Sequence, residues 1–196
     1  MIKKGLLVVL SGPSGVGKYT LWSDLLKNKR LNLKYSISMT TRPKRFNELN
    51  GRDYFFVSHN EFRRAIKNRQ MLEYATYCNN YYGTPKEYVE KLRNAGHNVL
   101  LEIEVQGGLN VTKIMKKAKD KRFVSIFILP PSTKELIQRL RTRGTEDKKI
   151  INARIKQAKW EISKAKHYKY QIVNDNLKTA KAKLKNVFLT EIKKNA

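Results

Sequence analysis

Cysteine is nearly absent: Cys78 is the only one in 196 residues, so no internal disulfide can form and a disulfide-stapled scaffold is excluded. Long apolar runs are missing too. The best of them, Leu6 to Leu10 and Phe123 to Leu129, fall far short of the roughly 20 residues that cross a bilayer, so a membrane-spanning helix is excluded. Behind the charged Met1-Ile2-Lys3-Lys4 the apolar stretch breaks at Ser11-Gly12-Pro13 with no small-residue cleavage signature. We expect a soluble, cytoplasmic protein. Acidic residues are scarce, with 16 Asp and Glu against 42 Lys and Arg and a net charge of +26. Such an excess attracts polyanions through counterion release. The lysines are nevertheless scattered along segments of helical spacing without one dense tract, the pattern of solvated helix faces, and no specific nucleic-acid partner is expected.

What is present is enough for one domain with a buried core that needs no metal to hold it. Strand-like runs at Leu6 to Leu10, Val99 to Val105, Phe123 to Leu129 and Tyr170 to Val173 alternate with amphipathic stretches, which predicts an α/β fold with a parallel sheet flanked by helices. Ser/Thr-x-x-Glu boxes predict helix starts at Ser58, Thr84 (with Pro85 first in the helix) and Ser132. Gly96 is placed to stop the second of these helices, and Pro130-Pro131 to end a strand. Between Ser36 and about Tyr82 short aromatic pieces replace the alternation and predict a small inserted, mostly β subdomain. Around Gly144-Thr145-Glu146-Asp147 stand Arg139, Arg141, Arg143 and Arg154 with little apolar content, which reads as a mobile cationic lid.

Directly after the first strand comes Gly12-Pro13-Ser14-Gly15-Val16-Gly17-Lys18-Tyr19-Thr20. This fits G-x-x-x-x-G-K, with Tyr19 where Ser or Thr is usual, in the required context of strand, loop and helix. The glycines let successive backbone N–H groups curl around an anion, and Lys18 bridges its terminal phosphates. With Tyr19 displacing the usual Mg²⁺-ligating hydroxyl, Thr20 is the candidate to supply one, water completing the metal shell. Such a loop says nucleotide, and not which reaction.

Further along stand Thr40-Thr41-Arg42-Pro43-Lys44-Arg45, Gly51-Arg52-Asp53-Tyr54-Phe55-Phe56, Glu73-Tyr74-Ala75, Asn80-Tyr81-Tyr82-Gly83-Thr84 and Arg143-Gly144-Thr145-Glu146. Taken in this order with the phosphate loop, the series resembles the guanylate kinase family along essentially the whole chain. The resemblance implies transfer of the γ-phosphoryl group of ATP to GMP, and to dGMP, giving ADP and GDP with Mg²⁺. It also implies one domain with a core of residues 1–35, 88–138 and 156–196, a GMP-binding subdomain at 36–87 and a lid at 139–155, acting as a monomer or a homodimer.

Phosphoryl transfer to a phosphate oxygen needs no general base, because that acceptor, with a second pKa near about 6, is already largely ionised at neutral pH. It needs cations and alignment. Lys18 serves the donor. By similarity Arg42 and Arg45 hold the GMP phosphate, Tyr54 and Tyr82 donate hydroxyls to it, and Arg139, Arg143 and Arg154 fold in to neutralise the moving group. Guanine offers the donors N1–H and N2–H₂ beside the acceptor O6, which suits a carboxylate and a hydroxyl. The resemblance implies Glu73 on the donors, Thr84 and Ser38 near base or phosphate, and Glu104 by the amino group. Alternation along Leu101 to Val105 predicts Glu102 and Glu104 on one face of a strand end, and by similarity Glu102 orients Mg²⁺ through water. Asn174 is similar to the edge of the family's adenine pocket.

The remaining residues with reactive side chains carry simpler expectations. His59, His97 and His167 show no metal-ligand spacing, Cys78 is read as inert, and Trp22 and Trp160 as core packing. Two other activities fit part of the pattern. A binding module on the same fold would be expected to have lost Gly12, Gly17 or Lys18, and a kinase for another phosphorylated acceptor would be expected to have changed Glu73 and Thr84.

Overall fold

The computed structural model describes residues 3–77, 79–142 and 148–195, with the side chains of Tyr77 and of residues 139–142 and 148–150 excepted. In chain order the elements are β1 (Leu7–Ser11), α1 (Lys18–Trp22), β2 (Leu33–Tyr35), β3 (Met39–Thr40), β4 (Phe55–Phe56), α2 (His59–Lys67), β5 (Met71–Tyr77), β6 (Asn80–Pro85), α3 (Lys86–Asn94), β7 (Asn98–Glu102), α4 (Val105–Lys117), β8 (Phe123–Leu129), α5 (Thr133–Thr142), α6 (Lys148–Ser163), β9 (Tyr170–Val173) and α7 (Leu177–Lys194). Five strands form one sheet in the order β2-β7-β1-β8-β9, every pair parallel. The central strand β1 is buried at all five positions, as a strand covered on both faces must be.

Alternation along β1 sorts the core. Val8 and Leu10 face one apolar cluster with Leu21 and Trp22 of α1 and Leu184 and Phe188 of α7. Leu7 and Val9 face another with Val89 of α3 and Val111 and Met115 of α4. The result is the expected parallel sheet flanked by helices. Among the described residues no helix is long and apolar enough to cross a membrane.

A second sheet, in the order β4-β3-β6-β5, carries the short aromatic pieces. It is antiparallel except for β3 with β4. Arg93 at the end of α3 locks the lower edge of the large sheet. It is 1% exposed and donates to the Gly5 carbonyl at 3.0 Å, Glu90 at 3.1 Å and Asp120 at 2.8 Å, so its buried charge is fully partnered.

Strands β8 and β9 run as the sequence predicts, and the boxes at Ser58 and Ser132 cap α2 and α5. Gly96, at φ 83°, ends α3, with its own N–H and that of His97 closing on the carbonyls of Arg93 and Leu92. Two expectations are corrected. Thr84 does not cap a helix: it stays in β6, Pro85 is the cap residue and α3 starts at Lys86, because the Thr84 hydroxyl is drawn to Glu73. The run from Val99 to Val105 is not one strand either. β7 ends at Glu102, and Glu104 caps α4 by accepting from the backbone N–H groups of Gln106 and Gly107. The carboxylate beside two free helix amides outcompetes strand continuation. Cys78 and the segment 143–147 lie outside the described residues.

Candidate active site

The parallel strands of the large sheet end at one edge, where β1 runs out into the loop from Gly12 to Gly17 and β7 into Glu102. A Cβ on Gly12 would come within 2.5 Å of the Ile128 carbonyl oxygen, so only glycine lets the loop leave β1 beside β8. Gly17 sits in the left-handed region at φ 89° and caps α1. Val16 is fully buried and pins the loop to the core, as does the buried Pro13, while Ser14 and Gly15 form its rim. Asn174, just past β9, is buried and donates from its amide to the Val16 carbonyl at 2.8 Å. Its amide thus braces the loop.

Lys18 curls back over this loop, donating to the carbonyls of Gly12 at 2.7 Å and Pro13 at 3.3 Å. Burial pulls its pKa down, opposed by the carboxylates of Glu102 and then Glu161. Tyr19 points outward, 67% exposed, and Thr20 also stands on the exposed side of the short α1.

Beside the loop lies a cavity of about 290 Å³ that brings together Ser38, Tyr54, Glu73, Tyr82, Glu102 and Glu104. Those are six of the residues singled out from sequence. Glu73 and Thr84 face each other across β5 and β6, and the Thr84 hydroxyl donates to Glu73 Oε1 at 2.6 Å. Burial pushes the Glu73 carboxyl up to about 7; the Thr84 hydroxyl pulls the other way and Glu104 adds to the rise. α4 approaches this carboxylate closely at Gly107, where a Cβ would lie 2.6 Å from Glu73 Oε2. Glu104 is held by its capping bonds, and Glu102 accepts from the Trp22 indole at 2.5 Å.

Arg42 stands at the rim of this cavity, its guanidinium 5.6 Å from the Tyr54 ring centre and 5.9 Å from that of Phe56. Both Glu48 oxygens accept from its Nη2, at 2.7 and 2.9 Å. A carboxylate therefore already engages one arm of the guanidinium that suits a phosphate, the other arm donating to the Pro43 carbonyl at 2.8 Å, and the Arg42 guanidinium holds the Glu48 pKa below its ordinary value. The Arg45 backbone N–H joins the same carboxylate at 2.9 Å, but its side chain is exposed and does not line the cavity. Arg154 stands half-buried on α6. The Arg139 side chain and all of Arg143 lie outside the described residues.

Sequence reasoning missed Glu161 and half of Trp22. Glu161 on α6 is 7% exposed. Burial raises its pKa, while Gln157, Lys18 and the Ser14 backbone act to lower it, so it links α6 to the phosphate loop. The available signal was an acid next to Ala158 and Ile162, on the stripe that α6 packs against Leu136. Trp22 packs in the core as expected, and its indole N–H also needed an acceptor. Larger hollows of about 610 and 500 Å³ lie along α4 and the segment before β9. Lysine is their commonest lining residue, and they gather none of the motif residues.

No group of three or more His, Cys, Asp or Glu among the described residues could cage a metal ion. Mg²⁺ bound to a nucleotide does not need such a cage, since one or two carboxylates, phosphates and water suffice. Glu102, next to Lys18 and facing the cavity, fits that requirement.

A family model described as guanylate kinase matches residues 4–191. The guanylate kinase of Malacoplasma penetrans is 47% identical over 190 residues, 97% of this chain and 95% of that protein. That of Streptococcus mutans is 47% identical over 97% of this chain and 89% of its own length. The one from Mycoplasma capricolum is 47% identical over 196 residues, and this chain spans 64% of its length. Among solved structures, the guanylate kinase from Anaplasma phagocytophilum superposes with a TM-score of 0.72 at 34% identity, covering 96% of this chain and 87% of the other. The chain belongs to the guanylate kinase family.

Proposed function

We propose that this chain transfers the γ-phosphoryl group of ATP to GMP, and to dGMP, giving ADP and GDP. The observation that carries this reading is the buried Glu73–Thr84 pair facing a cavity that opens beside Lys18. An ionised carboxylate there accepts guanine N1–H and N2–H₂. Adenine would turn an acceptor towards it and leave buried groups unpaired, a mismatch that discriminates strongly. Tyr54, Tyr82 and Ser38 take the acceptor phosphate together with Arg42, which exchanges Glu48 for it, and Arg45 swings in from solvent. Glu104, fixed as a helix cap, reads the amino group from the side.

On the donor side the loop from Gly12 to Gly17 cradles the phosphates with backbone N–H groups, and Lys18 leaves its two carbonyl partners for the terminal phosphates. Glu102 would hold Mg²⁺ through water, and Thr20 would be the hydroxyl on offer. When bound, the ion neutralises charge on the ATP phosphates. No residue has to remove a proton, so this chain's task is to align two anions, neutralise them and exclude water. Residues 36–87 act as the GMP-binding subdomain. Residues 139–155 close as a lid that brings Arg139, Arg143 and Arg154 to the moving group. Both substrates are free nucleotides, in keeping with a cytoplasmic enzyme.

The direct test is label transfer. ATP labelled at the γ-phosphoryl group should give labelled GDP with GMP present, and very little free labelled phosphate without it. Fast GMP-independent release of phosphate, or bound GMP that never gains label, would overturn the reading; the second result would favour a binding module.

A further inference from the structure

Trp22 sits one helical turn after Lys18, on the same face of α1. Its indole is held on every side. One face stacks on Tyr35, with ring centres 4.7 Å apart and planes 5° from parallel. Tyr19 meets it at 5.2 Å and 81°. Only 4% of the residue is exposed. With the ring so fixed, the direction of its N–H is fixed, and that bond points at Glu102 Oε2, 2.5 Å away.

A buried indole seeks any acceptor, and a backbone carbonyl would satisfy it equally well. Here it has taken the carboxylate at the junction of the two half-sites. Glu102 closes β7, lines the acceptor cavity and is the foremost carboxylate acting on the Lys18 charge. Among the described residues its second oxygen accepts no hydrogen bond, so the indole N–H is the hydrogen bond that fixes the direction of a flexible side chain. Tyr35, the other partner of the ring, lines the same cavity. Glu102 is thus anchored to the helix that carries Lys18.

We propose that Trp22 is a positioning residue for phosphoryl transfer, its indole N–H holding the Glu102 carboxylate between the phosphate loop and the acceptor cavity. The inference rests on the reading of this chain as a GMP kinase. It adds that the tyrosine in the phosphate loop is part of the same construction, as an outer wall for the indole.

The test is a cycle of Trp22→Phe, Glu102→Ala and the double variant. Phenylalanine keeps the stack and removes the N–H. With Glu102 present, Trp22→Phe should lower kcat about tenfold or more, the scale of losing a hydrogen bond to a charged group, while KM for GMP stays within about twofold. With Glu102 already alanine, the same substitution should cost less than about twofold. Equal losses in both backgrounds would mean that Trp22 acts only through packing, and would overturn the proposal. A readout without any Trp22 variant is the indole N–H resonance, assigned with Trp160→Phe. Glu102→Ala should shift the Trp22 signal and leave that of Trp160 in place; an unmoved Trp22 signal would also overturn it. A wild-type protein that moves no phosphoryl group to GMP would remove the underlying reading together with the inference. An active wild type with an additive cycle would remove the inference alone.

Discussion

The phosphate loop and the acceptor cavity occupy the same edge of the large sheet but are built by opposite means. The loop is backbone from one uninterrupted stretch, shaped by Gly12 and Gly17 and braced by Asn174. The cavity is made of side chains gathered from β2, the second sheet, β7 and the start of α4. Before substrate arrives, its polar groups are already engaged with protein: Arg42 with Glu48, Glu73 with Thr84, Glu102 with Trp22 and Glu104 with helix amides. The loop therefore needs only an anion. In the proposed reaction the cavity needs a ligand whose groups can replace or join specific partners, and that requirement is the source of acceptor selectivity.

Substitutions on the two sides should separate turnover from acceptor binding. The largest effect is expected from Lys18→Ala, a loss of at least about a hundredfold in turnover, with GMP affinity measured by calorimetry changed less than about twofold. Next comes Arg42→Ala, which should weaken GMP binding about tenfold or more and affect turnover at saturating GMP less. Equal small losses from both would erase the division of labour.

The third effect is a pH dependence confined to the cavity side. Only the ionised Glu73 accepts both guanine donors, so with its carboxyl lifted to about 7, GMP affinity should fall as the pH drops through that value. The GMP phosphate titrates near about 6 with either protein. The diagnostic comparison is therefore with Glu73→Gln, whose weaker binding should lack the dependence owed to residue 73. The smallest effect is on stability. Glu73 ionises near 4.5 when unconstrained and near 7 when folded, so the folded state holds the proton more tightly. The resulting stabilisation is full below the lower value and lost as the pH rises to the upper one. Glu73→Gln should consequently raise Tm above about pH 8 by a few degrees and change it little near about pH 4; the reverse order would contradict the burial of an ionisable carboxyl.

The same contrast explains what could be read from sequence. Contiguous signals survived folding intact: the phosphate loop, β8, β9 and the caps at Ser58 and Ser132 all depend on local backbone chemistry. At Thr84 and Glu104 the local pattern predicts the wrong element, although the resemblance picks both out for the site. Thr84 has a perfect helix-start neighbourhood, but the buried carboxylate of Glu73, directly opposite on the neighbouring strand, claims its hydroxyl. Glu104 continues an alternating pattern, but the free amides of α4 claim its carboxylate. The partnership of Arg42 with Glu48 and that of Trp22 with Glu102 have no periodic signature. The first joins two half-buried opposite charges six residues apart; the second follows from burial, which leaves an indole N–H no choice but the nearest acceptor. Glu161 was hidden in the same way, as one acid on an otherwise lysine-rich helix.

The most direct measurement is ADP release from ATP and Mg²⁺ with GMP, dGMP, AMP, UMP or no acceptor offered in parallel. A cavity read by Glu73 and Thr84 predicts strong release with GMP, weaker release with dGMP and almost none with AMP, UMP or water. Comparable release with AMP, or release that ignores the acceptor, would contradict it.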